Sequence, residues 1–314
     1  MHPALPELTS SMPAPLYLLT GPTAVGKSAL ALAWAQAHDA EILSCDALQI
    51  YRGLDIGTAK PSASEQNLVP HHGLDLSEPA QPYSVAAYSD YAVQAVAEIQ
   101  SRGKNVLIVG GSGFYLKSFF AAIADDVNIT PAIEADVRAL EAKGLPFLIE
   151  RLHAASPSGA GAVDLRNPRR VARALARCLA SGKSVEQLAA EFAEKKSPFD
   201  SFEKKLIRLE RLPAELEQRI HARTQKMLND GLIDEVRRHA AALIANPAAG
   251  TAIGYRETLA WMDAGEKTSL TELADEISLH TRQLVRKQHT WFRTQLPEHR
   301  ITEIEGDAVS SLRF

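Results

Sequence analysis

Residues 21–28 read Gly21, Pro22, Thr23, Ala24, Val25, Gly26, Lys27 and Ser28, which fits the phosphate-loop pattern G-x-x-x-x-G-K-[ST]. The apolar run Leu16-Tyr17-Leu18-Leu19 before it predicts a strand, and the run from Ala29 to Ala35 predicts a helix. Strand, turn and helix are the context the pattern needs. Gly21 and Gly26 let the backbone curl so that its N–H groups point inward. The helix N-terminus adds partial positive charge. Lys27 supplies a full charge, and the Ser28 hydroxyl can reach a phosphate or Mg²⁺. The stretch predicts a chain that binds a diphosphate or nucleotide, with Ser28 as the candidate metal contact.

At 314 residues there is room for a main domain and a smaller one. Hydrophobic residues make up 46% and charged residues 23%, the balance of a globular chain. No apolar run approaches the roughly 20 residues that span a bilayer. Residues 1–15 hold four prolines and no basic cluster followed by an apolar run. That segment is expected to be a flexible leader, with Met12 a possible start. Cys45 and Cys178 have no ligand-like spacing, so a reduced, cytoplasmic chain is expected. The net charge of −4 does not announce a nucleic-acid partner, although local clustering matters more than the sum.

A second strand is expected over 41–45, with Asp46 at its carboxyl end, where α/β sheets place ligands. His71 and His72 lack a third nearby ligand and make a weak metal pair. Residues 84–100 predict a helix capped by Ser84, with Tyr88, Tyr91, Ala95 and Ile99 inward. Residues 105–109 predict a buried strand that ends in Gly110-Gly111-Ser112-Gly113. Phosphoryl-transfer enzymes often carry a Mg²⁺-holding acid there. Its absence leaves Asp46 as the best carboxylate near the phosphates.

Residues 125–200 are Ala-rich, helical in pattern and without a strong strand. Asn167 and Pro168 predict a helix start, followed on one face by Arg169, Arg170, Arg173 and Arg177, with Arg166 just before. No acid interrupts 166–177, which suits a polyanion. Residues 206–209 predict a return to the sheet, followed by a helix over 214–229. That helix carries Arg219 and Arg223, with Glu215 and Glu217 near enough for surface pairing. A last long helix is expected over 271–294, with Leu273, Ile277, Leu284 and Trp291 as its buried stripe. Arg282, Arg286, His289 and Arg293 lie on another face. The expected fold is α/β: a P-loop NTPase-like parallel sheet flanked by helices, over 16–124 and 201–314, with an all-helical insertion at 125–200.

Six stretches together resemble the tRNA dimethylallyltransferases. They are 21–28, 46–61 (DALQIYRGLDIGTAKP), 110–116 (GGSGFYL), 167–175 (NPRRVARAL), 253–257 (IGYRE) and 282–293 (RQLVRKQHTWFR). The resemblance implies that the loop holds the diphosphate of dimethylallyl diphosphate. It implies transfer to N6 of the adenosine 3′ to the anticodon, assisted by Mg²⁺, by a monomer acting on tRNA. Carried over by motif, Asp46 is the base and Ser112 the catalytic hydroxyl, at a position that is usually threonine. Thr23 to Ser28 contact the diphosphate, with Arg219 or Arg223, between which the sequence does not choose. Asp46, Ala47, Leu48 and Gln49 touch the adenosine. Arg138, Arg169, Arg170, Val171, Ala172 and Arg173 hold tRNA. So do Thr251, Ala252, Ile253, Gly254, Tyr255 and Arg256. From the last helix come Arg286, Lys287, Gln288, His289, Thr290, Trp291, Phe292 and Arg293.

Three other classes compete. A small-molecule kinase would use ATP at the same loop, but predicts an acid after Val109. A nucleic-acid-binding module with a nucleotide switch has no need of Asp46. A prenyltransferase for free adenine nucleotides leaves the two basic helices unexplained.

Overall fold

A computed structural model of the chain describes residues 13–306 and 312–314. The leader expected over 1–15, including Met12, lies outside the described residues as far as residue 12. Six strands form the sheet: β1 (Leu16–Thr20), β2 (Ala40–Ser44), β3 (His71–His72), β4 (Asn105–Val109), β5 (Lys204–Glu210) and β6 (Arg300–Glu303). Four helices precede the insertion: α1 (Lys27–Ala37), α2 (Ala63–Leu68), α3 (Val85–Ser101) and α4 (Gly113–Lys117). The insertion holds α5 (Pro131–Lys143), α6 (Leu145–Ala155), α7 (Pro168–Ser181) and α8 (Val185–Ala193). After β5 come α9 (Pro213–Asn229), α10 (Leu232–Ala245), α11 (Pro247–Gly250), α12 (Tyr255–Asp263) and α13 (Leu270–Gln295).

The sheet order is β3-β2-β4-β1-β5-β6, and every pairing is parallel. Parallel strands buried on both faces read as apolar runs, which is what β1, β2 and β4 are. Helices cover both faces, giving two separate cores, one around Tyr88 and Tyr255 and one around Trp34 and Ile207. The sheet is therefore the expected parallel one flanked by helices. Two edge strands add to the sequence reading. β3 places His71 and His72 against β2, where His72 Nε2 meets Glu41 Oε2 at 2.6 Å. These histidines serve the sheet edge, and no cluster that could hold a metal occurs among the described residues. β6 is short and mostly exposed, so it lacks the apolar signature of the central strands.

The chain divides into two compact units, one running up to Phe120 and resuming at Pro198, the other spanning Ala121–Ser197. The second is all-helical among its described residues, around Leu148, Leu152, Val171 and Leu175. Asn167 caps α7 by accepting the Arg170 N–H, and Pro168 opens the helix. The arginine face is narrower than expected. Arg169, Arg170 and Arg173 are exposed, whereas Arg177 is half-buried and ion-paired with Asp125 inside the unit.

Among the described residues no helix is long and apolar enough to cross a membrane.

Candidate active site

β1 ends at Thr20 and the chain turns sharply into α1. Gly26, the residue before α1, has φ 107°, a conformation that a side chain would strain. The loop is held from behind by two cations. Arg211 Nε donates to Val25 O at 3.1 Å, and Arg219 Nε donates to Ala24 O at 3.0 Å. Lys27 Nζ donates to Gly21 O and Pro22 O, both at 2.9 Å. Desolvation, and then the nearby Arg223 guanidinium, lower the Lys27 pKa to about 8, while the Asp46 charge opposes the drop. Arg223 is pushed below its ordinary value by desolvation, again opposed by Asp46. Asp46, Lys27 and Arg223 thus feel one another's charge across one cleft. Arg219 braces the loop backbone, and both Arg219 and Arg223 line the cleft.

Asp46 follows β2 directly. Its Oδ1 accepts the Leu48 N–H at 2.9 Å and the Gln49 N–H at 3.4 Å, a short turn that fixes the carboxylate at the sheet's carboxyl end. Ser112 follows β4, and its Oγ accepts the Ala47 N–H at 2.9 Å, leaving the hydroxyl proton free to donate. Gln49 is held at both ends, accepting from Ser44 Oγ at 2.8 Å and donating to Ala59 O at 3.2 Å.

These groups line a cleft of about 1120 Å³. Thr23, Ala24, Gly26, Lys27 and Ser28 form one wall, and Asp46 to Gln49 another. Thr251 to Gly254 and Arg256 contribute, as do Lys287, Gln288, Trp291 and Phe292 from α13. The Ser28 side chain is exposed there. Gly113 admits the Trp291 ring, since a Cβ at that position would lie 2.6 Å from it.

Several expected contacts lie in the core or away from the cleft. Val171 and Tyr255 are core side chains with no exposed surface, and Phe292, 1% exposed, packs in the core where it borders the cleft. Tyr255 donates its hydroxyl to Glu235 at 2.8 Å. On α13 the buried stripe is Leu273, Ile277, Val285 and Phe292, whereas Leu284 and Trp291 are half-buried cleft walls. Arg138 pairs with Glu134 one turn away on an exposed face. Arg286, Thr290 and Arg293 are exposed and His289 is half-buried; none of the four lines the cleft.

Three residues that shape the site are not among the expected contacts. Glu235, 2% exposed, accepts the N–H groups of Asp55 and Ile56 at 2.8 Å and of Gly57 at 3.0 Å. Glu257, 1% exposed, accepts the Gly254 N–H at 2.7 Å and holds His280 Nδ1 at 2.7 Å. Arg211 is the third. Each fixes a loop that walls the cleft, Glu235 and Arg211 through partners 178 to 186 residues away and Glu257 through Gly254, three residues before it.

The IPP transferase family model matches residues 49–295. The chain belongs to the IPP transferase family. A tRNA dimethylallyltransferase of Opitutus terrae is 51% identical over 286 residues, covering 91% of this chain and 92% of the relative. Among solved structures, the full-length tRNA isopentenylpyrophosphate transferase of Bacillus halodurans superposes with TM-score 0.64 at 30% identity. That match covers 92% of this chain and 89% of the other. A eukaryotic dimethylallyltransferase, described as acting on tRNA, shares the fold with TM-score 0.77 at 23% identity, over 92% of this chain and 74% of its own. As a family member this chain is a transferase, and its sheet and phosphate loop are those of the P-loop fold.

Proposed function

We propose that this family member transfers a dimethylallyl group from dimethylallyl diphosphate to N6 of the adenosine 3′ to the anticodon of tRNA. One observation carries the reading: Asp46 shares a single cleft with the phosphate loop, close enough for its charge to oppose the pKa depression of both Lys27 and Arg223. A base for the amine and cations for a departing diphosphate therefore meet.

In this reading the loop N–H groups, Lys27 and Arg223 bind the diphosphate and stabilise its growing charge as the C–O bond breaks. The adenine N6 forms the new C–N bond, and Asp46 takes the proton it sheds. The Ser112 hydroxyl, pinned by Ala47, donates to the reacting groups. The target base leaves its stack to reach the cleft, which costs least in a single-stranded loop. The oxygen donors suit a hard cation: Ser28 Oγ with diphosphate oxygens and water would hold Mg²⁺. When bound, Mg²⁺ neutralises charge on the leaving diphosphate. Arg169, Arg170 and Arg173 of the helical unit, and Arg286 and Arg293 of α13, contact tRNA phosphates. The enzyme acts as a monomer in the cytoplasm. A kinase reading is not favoured, because β4 ends in Gly110-Gly111-Ser112 rather than an acid.

The test is incubation with unmodified tRNA, Mg²⁺ and dimethylallyl diphosphate, with ATP in a parallel reaction, followed by mass analysis of nucleosides. A dimethylallyl mass gain on one adenosine, only with the prenyl donor, is expected. ATP consumption without that gain would overturn the reading.

A further inference from the structure

Phe114 is 68% exposed at the start of α4 and lines the cleft that holds Asp46 and Ser112. Its neighbours are the opposite: Tyr115 is 4% and Leu116 1% exposed. Tyr115 stacks on Tyr88 with ring centroids 4.2 Å apart, and this locks α4 to the core. Gly113, one residue earlier, is in contact with the Trp291 ring. The phenyl group therefore stands on a rigid base at the cleft, with two torsions of its own and no core to fill.

Apolar side chains exposed singly are ordinary, as Leu212 and Ile244 are here; what sets Phe114 apart is that it stands on the cleft, which they do not line. Three partners are chemically possible. A five-carbon prenyl chain needs an enclosing wall, and a ring two-thirds exposed does not enclose. A protein surface would need a broader apolar patch, but the same cleft also carries the exposed cations Lys287 and Arg256. A nucleobase fits both features: a flat face covers the ring, and cations meet the adjoining phosphates.

We infer that Phe114 is a stacking platform for the nucleobase flanking the target adenosine, and that it fixes how the RNA loop enters the cleft. This inference rests on reading the cleft as an RNA-prenylating site. It makes Phe114 a determinant of RNA engagement rather than of donor binding or chemistry. The residue is exposed, so replacing it leaves the core intact.

The test compares wild type, Phe114→Ala and Phe114→Trp on an unmodified anticodon stem-loop RNA, with RNA and donor varied separately. For Phe114→Ala the KM for RNA is expected to rise about tenfold, the order of one base–aromatic stack. The donor KM and the turnover at saturating RNA should stay within about twofold, and Phe114→Trp should restore the RNA KM. A rise in donor KM instead would make Phe114 a prenyl-pocket wall and overturn the inference, as would an unchanged RNA KM. A second measurement needs no turnover. With 2-aminopurine on either side of the target, wild type should quench one flank on binding and Phe114→Ala should not. Wild type that binds the RNA and quenches but transfers no prenyl group would sink the proposed reaction while leaving the stacking platform standing.

Discussion

Gln288 Oε1 accepts the backbone N–H of Thr23 at 3.0 Å, and its Nε2 donates to Gly111 O at 3.2 Å. One side chain on α13 thus ties the phosphate loop to the loop that carries Ser112, across 265 and 177 residues of sequence. The tie holds the two loops at a fixed spacing. Each such bond is worth about 1 kcal/mol net. Gln288→Ala should therefore lower kcat/KM for the donor roughly tenfold with little change in RNA affinity. Gln288→Glu should be worse than Ala, because it sets a carboxylate oxygen against Gly111 O and adds an anion to the phosphate-loop side of the cleft. Steady-state kinetics on the two variants check the order; a Glu variant as active as wild type would remove the tie from the mechanism.

The phosphate loop and Asp46 are legible in the sequence because their chemistry is local: a turn of fixed spacing between a strand and a helix. The central strands are legible because burial on both faces demands an apolar run. The role of Gln288 as a tie between loops, and that of Glu235, are not, since their partners lie 177 to 265 residues away. The stripe on α13 misleads for a different reason. Leu284 and Trp291 have helical spacing with Leu273 and Ile277, yet they wall a cleft, and apolar periodicity does not distinguish a cleft wall from a core.

Glu235 is the strongest stability prediction. Its carboxylate accepts three successive backbone N–H groups and the Tyr255 hydroxyl in the core. Glu235→Ala leaves all four donors unmatched, and each costs on the order of 1–3 kcal/mol when buried. A loss of at least about 3 kcal/mol is expected, read as a lower urea midpoint. Glu235→Gln should fall between, since its amide turns a donor toward donors. A midpoint unchanged in Glu235→Ala would mean that water replaces the carboxylate.

Lys27 sets an alkaline limit. Its pKa of about 8 lies below the ordinary 10.5 because desolvation and Arg223 disfavour its charge. As pH rises through 8 the folded chain loses this proton before the unfolded chain does. Between those two values the unfolded state binds more protons, so this group makes stability rise with pH; below 8 the cost of holding its charge is present in full. Function runs the other way, because a neutral amine offers no charge to a diphosphate. The donor's kcat/KM should fall with an apparent pKa near 8, while the melting temperature shows no parallel loss from this group. A profile flat to pH 10 would contradict the assignment.

Arg169, Arg170 and Arg173 are exposed along one face of α7, with Val171 and Leu175 buried behind them. Neutralising all three to Gln should weaken tRNA binding and flatten its salt dependence. Each lost phosphate contact removes roughly 0.7–0.9 from the slope of log K against log salt. Arg177→Gln, which breaks the pair with Asp125, should instead lower the stability of the helical unit. Binding titrations at several salt concentrations separate the two; an unchanged slope for the triple variant makes that face merely solvated.

Asp46→Asn tests the base most directly. The amide oxygen can still accept the Leu48 and Gln49 N–H groups, so the turn and the cleft wall should survive. What is lost is the carboxylate proposed to take the proton from N6. General-base losses run about 10²- to 10⁴-fold. Turnover should fall by that much, while affinities for donor and tRNA change within about threefold, a loss confined to the transition state. Single-turnover rates with equilibrium binding on the same preparation make the distinction. A variant that binds poorly yet turns over normally once saturated would make Asp46 a substrate contact and send the search for the base to another residue of the cleft.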